Sequence, residues 1–192
     1  MVLPIVAYGH PVLRKLAQDI RPEYPHLKKL IADMWETMYT SNGVGLAAPQ
    51  VNKDIRLFVV DSQQIFQNME EEERKEFPDD PGIQQVFINA HVMETEGKEW
   101  PYNEGCLSIP KIREDILRQE TVTLEYEDEN FQVHTKTFHG ITARIILHEH
   151  DHLEGKLFID YLPPLKRKLM KGKLDDISKG KVNVDYKMVF PK

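Results

Sequence analysis

An α+β fold, with mixed antiparallel sheets packed around a buried metal-binding helix, is predicted by three features of this 192-residue chain. The segment His148-Glu149-His150-Asp151-His152 places two imidazoles four residues apart, on one face of a helix and one turn from each other. The largely apolar run 141–147 before it gives that helix something to pack against. Elsewhere, residues 55–60, 86–93, 122–126 and 131–138 read as strands, without a regular βαβ alternation and without an internal repeat.

Taken in order, a short helix is expected after Pro11, with Leu13, Leu16 and Ala17 on one side. A longer helix is expected over 25–39, because Leu27, Leu30, Ile31, Met34 and Met38 step by three and four. Pro25 suits its first turn, where a missing amide costs nothing, and Asn42-Gly43 marks its end. Residues 63–82 are polar and acidic and close on Pro78-Asp79-Asp80-Pro81-Gly82, a surface excursion. The strands over 122–126 and 131–138 form a hairpin around Asp128-Glu129-Asn130. The metal-type helix covers 142–153, Pro163-Pro164 opens a basic helix, and 182–190 reads as a last strand. The chain is read as one catalytic domain over residues 1–192, a length that allows a real core.

Composition excludes several classes of function. Hydrophobic residues make up 41% and charged residues 29%, and no apolar run approaches the roughly 20 residues of a membrane span. The N-terminus has no basic stretch leading into an apolar segment, which argues against a secretory signal and for a cytoplasmic protein. A single cysteine, Cys106, precludes an intrachain disulfide. The net charge of −6 argues against a stable nucleic-acid complex. The acidic run Glu70 to Glu73 and the basic residues Lys166, Arg167, Lys168, Lys171 and Lys173 read as solvated surface.

The chemistry centres on the histidine pair. His148 and His152 form an H-E-x-x-H arrangement, with Glu149 placed to handle a proton from water activated at a metal. Two imidazoles leave a metal underliganded, since a catalytic site wants three protein ligands and one open position. Cys106, in Glu104-Gly105-Cys106-Leu107-Ser108, would complete a Cys-His-His set acceptable to zinc or iron(II). Glu154, His91, His134 and His139 remain alternatives by spacing. Cys106 as a covalent nucleophile is the competing reading, and would need a histidine free to act as base. His150 falls on the far side of the helix, at the surface or in a supporting role. Gly43-Val44-Gly45-Leu46-Ala47-Ala48-Pro49-Gln50 matches a dinucleotide fingerprint literally. A helix precedes it and Pro49 interrupts the segment after the glycines, so close backbone packing is the better explanation. Gln50 could then supply an amide donor to an oxyanion.

These three segments, in this order, closely resemble the peptide deformylases, and the likeness extends over about residues 3–162. The resemblance implies removal of the formyl group from the N-terminal methionine of new polypeptides, at one divalent metal ion per chain. Iron(II), Fe2+, is the expected ion, with Zn2+, Ni2+ or Co2+ as alternatives. It further implies Cys106, His148 and His152 as metal ligands and Glu149 as the general acid/base. The Gln50 amide and the Leu107 backbone N–H would stabilise the oxyanion, Gly45 would contact substrate backbone, and Arg113 would lie near the substrate path. Helical spacing adds an apolar pocket for the methionine side chain near Ile145 and His148. Nascent N-formylmethionyl polypeptides are the implied partners; transient ribosome contact is compatible with this, and a monomer is expected. Three departures stand out: Leu147 where the family often has Gln, a longer and more acidic 63–82, and a C-terminal region past Leu162 that the resemblance constrains poorly. A metallopeptidase cutting internal amides, or a noncatalytic metal-stabilised binding module with four protein ligands, are the alternative functions.

Overall fold

Leu57–Asp61 is buried at every residue because both faces of its sheet are covered. Phe58 and Val60 point into one core and Leu57 and Val59 into another, as the two-residue period of a strand requires. This segment is β3 of a computed structural model that describes residues 1–191. The other strands are β1 (Ile5–Val6), β2 (Gly45–Ala47), β4 (Gln84–Cys106), β5 (Ile109–Glu127), β6 (Val133–His139) and β7 (Met188–Val189). The helices are α1 (Leu27–Thr40), α2 (Gln63–Gln67), α3 (Glu71–Arg74), α4 (Gly140–Leu153) and α5 (Pro164–Ser178).

The fold is α+β. Strands β2-β3-β4-β5-β6 form one antiparallel sheet, while β1 and β7 pair in parallel as a separate two-stranded sheet. Helix α4 lies on one face, where Ile141, Ile145, Ile146 and Leu153 meet Phe58, Phe87, Leu124 and Phe138. Helix α1 covers the other face, with Ile31, Met34 and Met38 against Leu46, Val59 and Ile88. A third core, under the lower half of the β4–β5 hairpin, joins Leu13, Ile109, Ile116 and Phe158 to Met170, Leu174 and Ile177 of α5.

Several elements depart from the sequence expectations, each for a local reason. The helix expected from Pro25 starts at Leu27, because His26 takes a left-handed conformation (φ 59°) and leaves Pro25 outside. Its end is a Schellman motif: Asn42 is left-handed (φ 56°), its N–H reaches Tyr39 O, and Gly43 N–H reaches Met38 O at 2.9 Å. After Pro11 there is only a 3₁₀ turn, Pro11–Arg14, and Leu16 beyond it is 58% exposed instead of sharing a face with Leu13. The strand expected at 55–60 begins at Leu57, Ile55 making an isolated bridge to Gln18. The expected strand over 131–138 begins at Val133, because Phe131 is left-handed (φ 59°) in the turn.

The largest difference is the β4–β5 hairpin. Residues 86–93 are only the start of a 23-residue strand, which pairs along most of its length with the 19-residue β5. Its outer half carries Gly97 (φ 84°) at a register shift and Pro101, features that hide a strand from a reading by alternation. The excursion 63–82 contains two short helices and, near its end, Asp80, whose buried carboxylate accepts the Thr142 N–H at 2.7 Å. His139 gives α4 no side-chain cap, so this distant aspartate caps it instead, where the helix dipole favours negative charge. At the other end of the chain, only Met188–Val189 of the expected strand 182–190 pairs. The acidic run at Glu70 to Glu73 and the lysines of α5 are exposed.

Candidate active site

Helical period and a hairpin tip build the centre together. His148 and His152 lie one turn apart on α4, with ring centroids 5.3 Å apart. Cys106 is the last residue of β4, and its Sγ lies 3.3 Å from His152 Nε2. One ligand atom from each of Cys106, His148 and His152 lies within 4.8 Å of the others. The ladder jumps there from Gly105↔Arg113 to Cys106↔Ile109, so Pro110, Lys111 and Ile112 bulge out of β5 with Lys111 left-handed (φ 65°). The other histidines and the acid considered as third ligand are engaged elsewhere. Glu154 pairs with Arg56, His91 with Asp19, His134 with Asp128, and His139 with Thr121. His150 points to the buried Arg56, at 3.1 Å, and not to Cys106.

A buried polar network holds His148 of this trio, while His152 Nδ1 is buried without a hydrogen-bond partner. Glu104 Oε2 accepts from His148 Nδ1 at 2.9 Å, leaving Nε2 for the metal position. The same carboxylate accepts from Arg118 Nε at 2.8 Å and from Arg144 at 3.2 Å. Arg118 donates onward to Asp151 at 2.7 Å, and Tyr161 donates its hydroxyl to Asp151 at 2.9 Å. Burial opposes ionisation of Glu104, but its hydrogen bonds with His148 and Arg118 win and pull its pKa to about 2. Burial would lower His148 too, yet contacts with Cys106 and Glu104 raise it. Burial pushes His152 down, so its ring stays neutral with a lone pair to offer.

Glu149 faces the same space. Burial lifts its carboxyl to about 7, against the opposing pull of His148, and Oε2 has no hydrogen-bond partner. Gly45 makes room for it: a Cβ there would fall 2.8 Å from Glu149 Cγ and Cδ. Gln50 is 2% exposed, and Ala47 N–H donates to its Oε1 at 2.9 Å. That bond turns Nε2 toward Cys106 Sγ and Ser108 Oγ, both at a long 3.4 Å. These residues open on a cleft of about 490 Å³, also lined by Leu107, Arg113 and Ile145. Arg113 is held at its rim by Asn103, through Nε to Oδ1 at 2.8 Å.

The donors fit a single divalent ion. One soft thiolate and two imidazoles would suit zinc or iron(II), and Glu149 brings a buried oxygen without a partner to the cleft that Cys106 and His148 line. A Cys-His-His cluster suited to one divalent ion, behind a cleft lined by Cys106, His148 and the buried Glu149, is the arrangement of a metal-dependent hydrolase.

Comparison with known proteins narrows the class. The family model described as polypeptide deformylase matches residues 2–168. The peptide deformylase of Christiangramia forsetii is 52% identical, over 100% of this chain and 97% of that protein. The crystal structure of peptide deformylase from Thermus thermophilus is 34% identical, with a TM-score of 0.79 over 94% of this chain and 99% of that one. The Met-Ala-Ser-bound class I type b enzyme from Acinetobacter baumannii is 32% identical, with a TM-score of 0.73 over 84% of this chain and 99% of that one. The chain belongs to the polypeptide deformylase family, metal-dependent hydrolases acting on N-formylmethionyl proteins.

Sequence reasoning missed the support of the site. Glu104 stood inside the cysteine motif without a role, although it shares a strand face with Cys106 two residues on. Arg118, Arg144, Asp151 and Tyr161 carried no local signal beyond the oddity of Arg144 in an apolar run. Tyr186, which reaches the cleft from the C-terminal segment, had none.

Proposed function

We propose that residues 1–192 form one catalytic unit that hydrolyses the formamide of N-formylmethionyl polypeptides, and that the buried Glu149 carboxylate beside Cys106, His148 and His152 carries the chemistry. The three residues hold one divalent ion, iron(II) in the working protein, with zinc, nickel or cobalt as substitutes. When bound, that ion activates water and polarises the formyl carbonyl. Glu149 accepts the proton of the attacking water and delivers it to the leaving amine, releasing formate and a free N-terminus.

Negative charge grows on the formyl oxygen as the carbon becomes tetrahedral. Gln50 Nε2 is pre-aimed by the Ala47 bond, and its two contacts at 3.4 Å are long enough to give way to a better acceptor. The Leu107 N–H, at the hairpin tip, is the second donor. Both interactions strengthen in the transition state, which is what lowers the barrier. Strand β2 is the sheet edge, so Gly45 offers unpaired backbone to an extended peptide. Ile145 and the aliphatic wall around it receive the methionine side chain, and Arg113 borders the path of the following residues.

Among the described residues, no helix is long and apolar enough to cross a membrane. We place the protein in the cytoplasm as a monomer that meets nascent chains, with ribosome contact transient. The test is formate release from N-formyl-Met-Ala-Ser by protein purified anaerobically, with elemental analysis alongside. The acetylated peptide should react far more slowly, because its extra methyl crowds the carbonyl. Equal turnover of both peptides, or cleavage at internal bonds, would reject the reading.

A further inference from the structure

The C-terminal segment after α5 returns to the cleft. Asp185 and Tyr186 line it beside Leu107, although they lie beyond residues 2–168 matched by the family model. Tyr186 Oη donates to the Leu107 carbonyl at 2.8 Å. Its ring packs against the core under α1, and the next residue is tied down at once: Ile5 N–H donates to Lys187 O at 2.9 Å, followed by the β1–β7 pairing. The tyrosine is therefore clamped, not draped over the surface.

The turn that it grips needs such help. Cys106 pairs with Ile109, so Leu107 and Ser108 form a two-residue hairpin connection. The favoured turns of this length need left-handed residues, because only those match the twist of the strands. Neither Leu107 nor Ser108 has a positive φ. Tertiary contacts hold the turn instead: Tyr8 N–H donates to Ser108 O at 2.8 Å, Gln50 reaches Ser108 Oγ, and Tyr186 takes the Leu107 carbonyl.

We propose that Tyr186 is a positioning residue for deformylation: by holding the Leu107–Ser108 peptide through its carbonyl it restricts rotation at the Leu107 Cα, and so steadies the Leu107 N–H, one peptide plane earlier, where it meets the developing oxyanion. This rests on the oxyanion role proposed for Leu107. Burial, and then the charge of Cys106, push the Tyr186 hydroxyl above its ordinary pKa, so it stays a neutral donor throughout the working range.

Tyr186→Phe in the full-length, metal-loaded protein removes the hydroxyl and keeps the ring. On N-formyl-Met-Ala-Ser, kcat should fall about tenfold, less than the ~10²–10³ of deleting a donor outright. KM and metal content should stay at parental values, and the unfolding midpoint should fall no further than in Tyr126→Phe. Tyr126→Phe, which removes a buried hydroxyl outside the cleft, controls for generic loss and should leave kcat unchanged. Parental kcat in Tyr186→Phe overturns the inference, as does a change confined to KM, or a fall in kcat that tracks lost metal or lost stability. A parent that releases no formate overturns the deformylase reading, and this inference with it.

Discussion

Glu104 Oε2 lies 2.9 Å from His148 Nδ1, and through its other oxygen the same carboxylate joins that imidazole to two buried arginines. The bond assigns the imidazole proton to Nδ1 and aims Nε2 at the metal position. Replacing Glu104 by Ala should loosen metal binding by roughly 10–100-fold, read by chelator competition. It should also cost about 3–5 kcal/mol of stability in a urea titration, because Arg118 and Arg144 lose a shared, buried counter-charge. Unchanged metal affinity would show that the ring is oriented by packing alone.

Glu149 and Gln50 separate chemistry from metal binding. Glu149→Gln should keep the metal and lose ~10²-fold or more in kcat, since it removes the proton acceptor but not a ligand. Gln50→Ala should also keep the metal while costing on the order of 3 kcal/mol in transition-state binding. Metal content measured beside turnover decides both. A Glu149→Gln protein without metal would mean that the glutamate is a ligand, and one with parental turnover would end its role in proton transfer.

Gly45 is held to glycine by Glu149, whose Cγ and Cδ would sit 2.8 Å from an added methyl. Gly45→Ala should displace the carboxylate and cut kcat by roughly 10²-fold, the scale expected for a reacting group moved by about 1 Å. Metal content should not change. A crystal structure of the variant with Glu149 in place, together with normal turnover, would contradict the steric argument.

Asp160 gives the pH prediction. Burial works against its charge, but Arg14 at 2.6 Å and the Leu157 N–H outweigh this and hold its pKa below the ordinary value. A folded pKa below the unfolded one, about 3.9, means stability that is present above that pH. The contribution is lost as pH falls through the folded value. Asp160→Asn should therefore destabilise near neutrality and narrow its gap from the parent below about pH 4. Unfolding midpoints measured across that range would test it, and a gap independent of pH would refute the linkage.

Local repetition made part of this molecule legible. The spacing of His148 and His152, the apolar steps of α1, and the hairpin around Asp128 are each contained within one element or one turn, where 3.6- and 2-residue periods apply directly. The Schellman ending at Asn42 and the proline-led start of α5 belong to the same class of short-range signal. Cys106 could be proposed as a ligand from its chemistry and from a family likeness, but several histidines and Glu154 competed with it equally by spacing.

Without that likeness it takes the folded chain to separate those competitors, because the separation depends on pairings that no local period carries. A 23-residue strand interrupted by a bulge, a left-handed glycine and a proline brings Cys106 to His152 across 46 residues. Strand register sets Trp100 opposite Arg118, and the fold brings Arg118 to Glu104 and Asp151. Asp80 caps α4 from 62 residues away, and Tyr186 meets Leu107 from 79. Each contact joins groups whose burial is favourable only in pairs, so its partner is chosen by the whole packing and not by the neighbours in the chain.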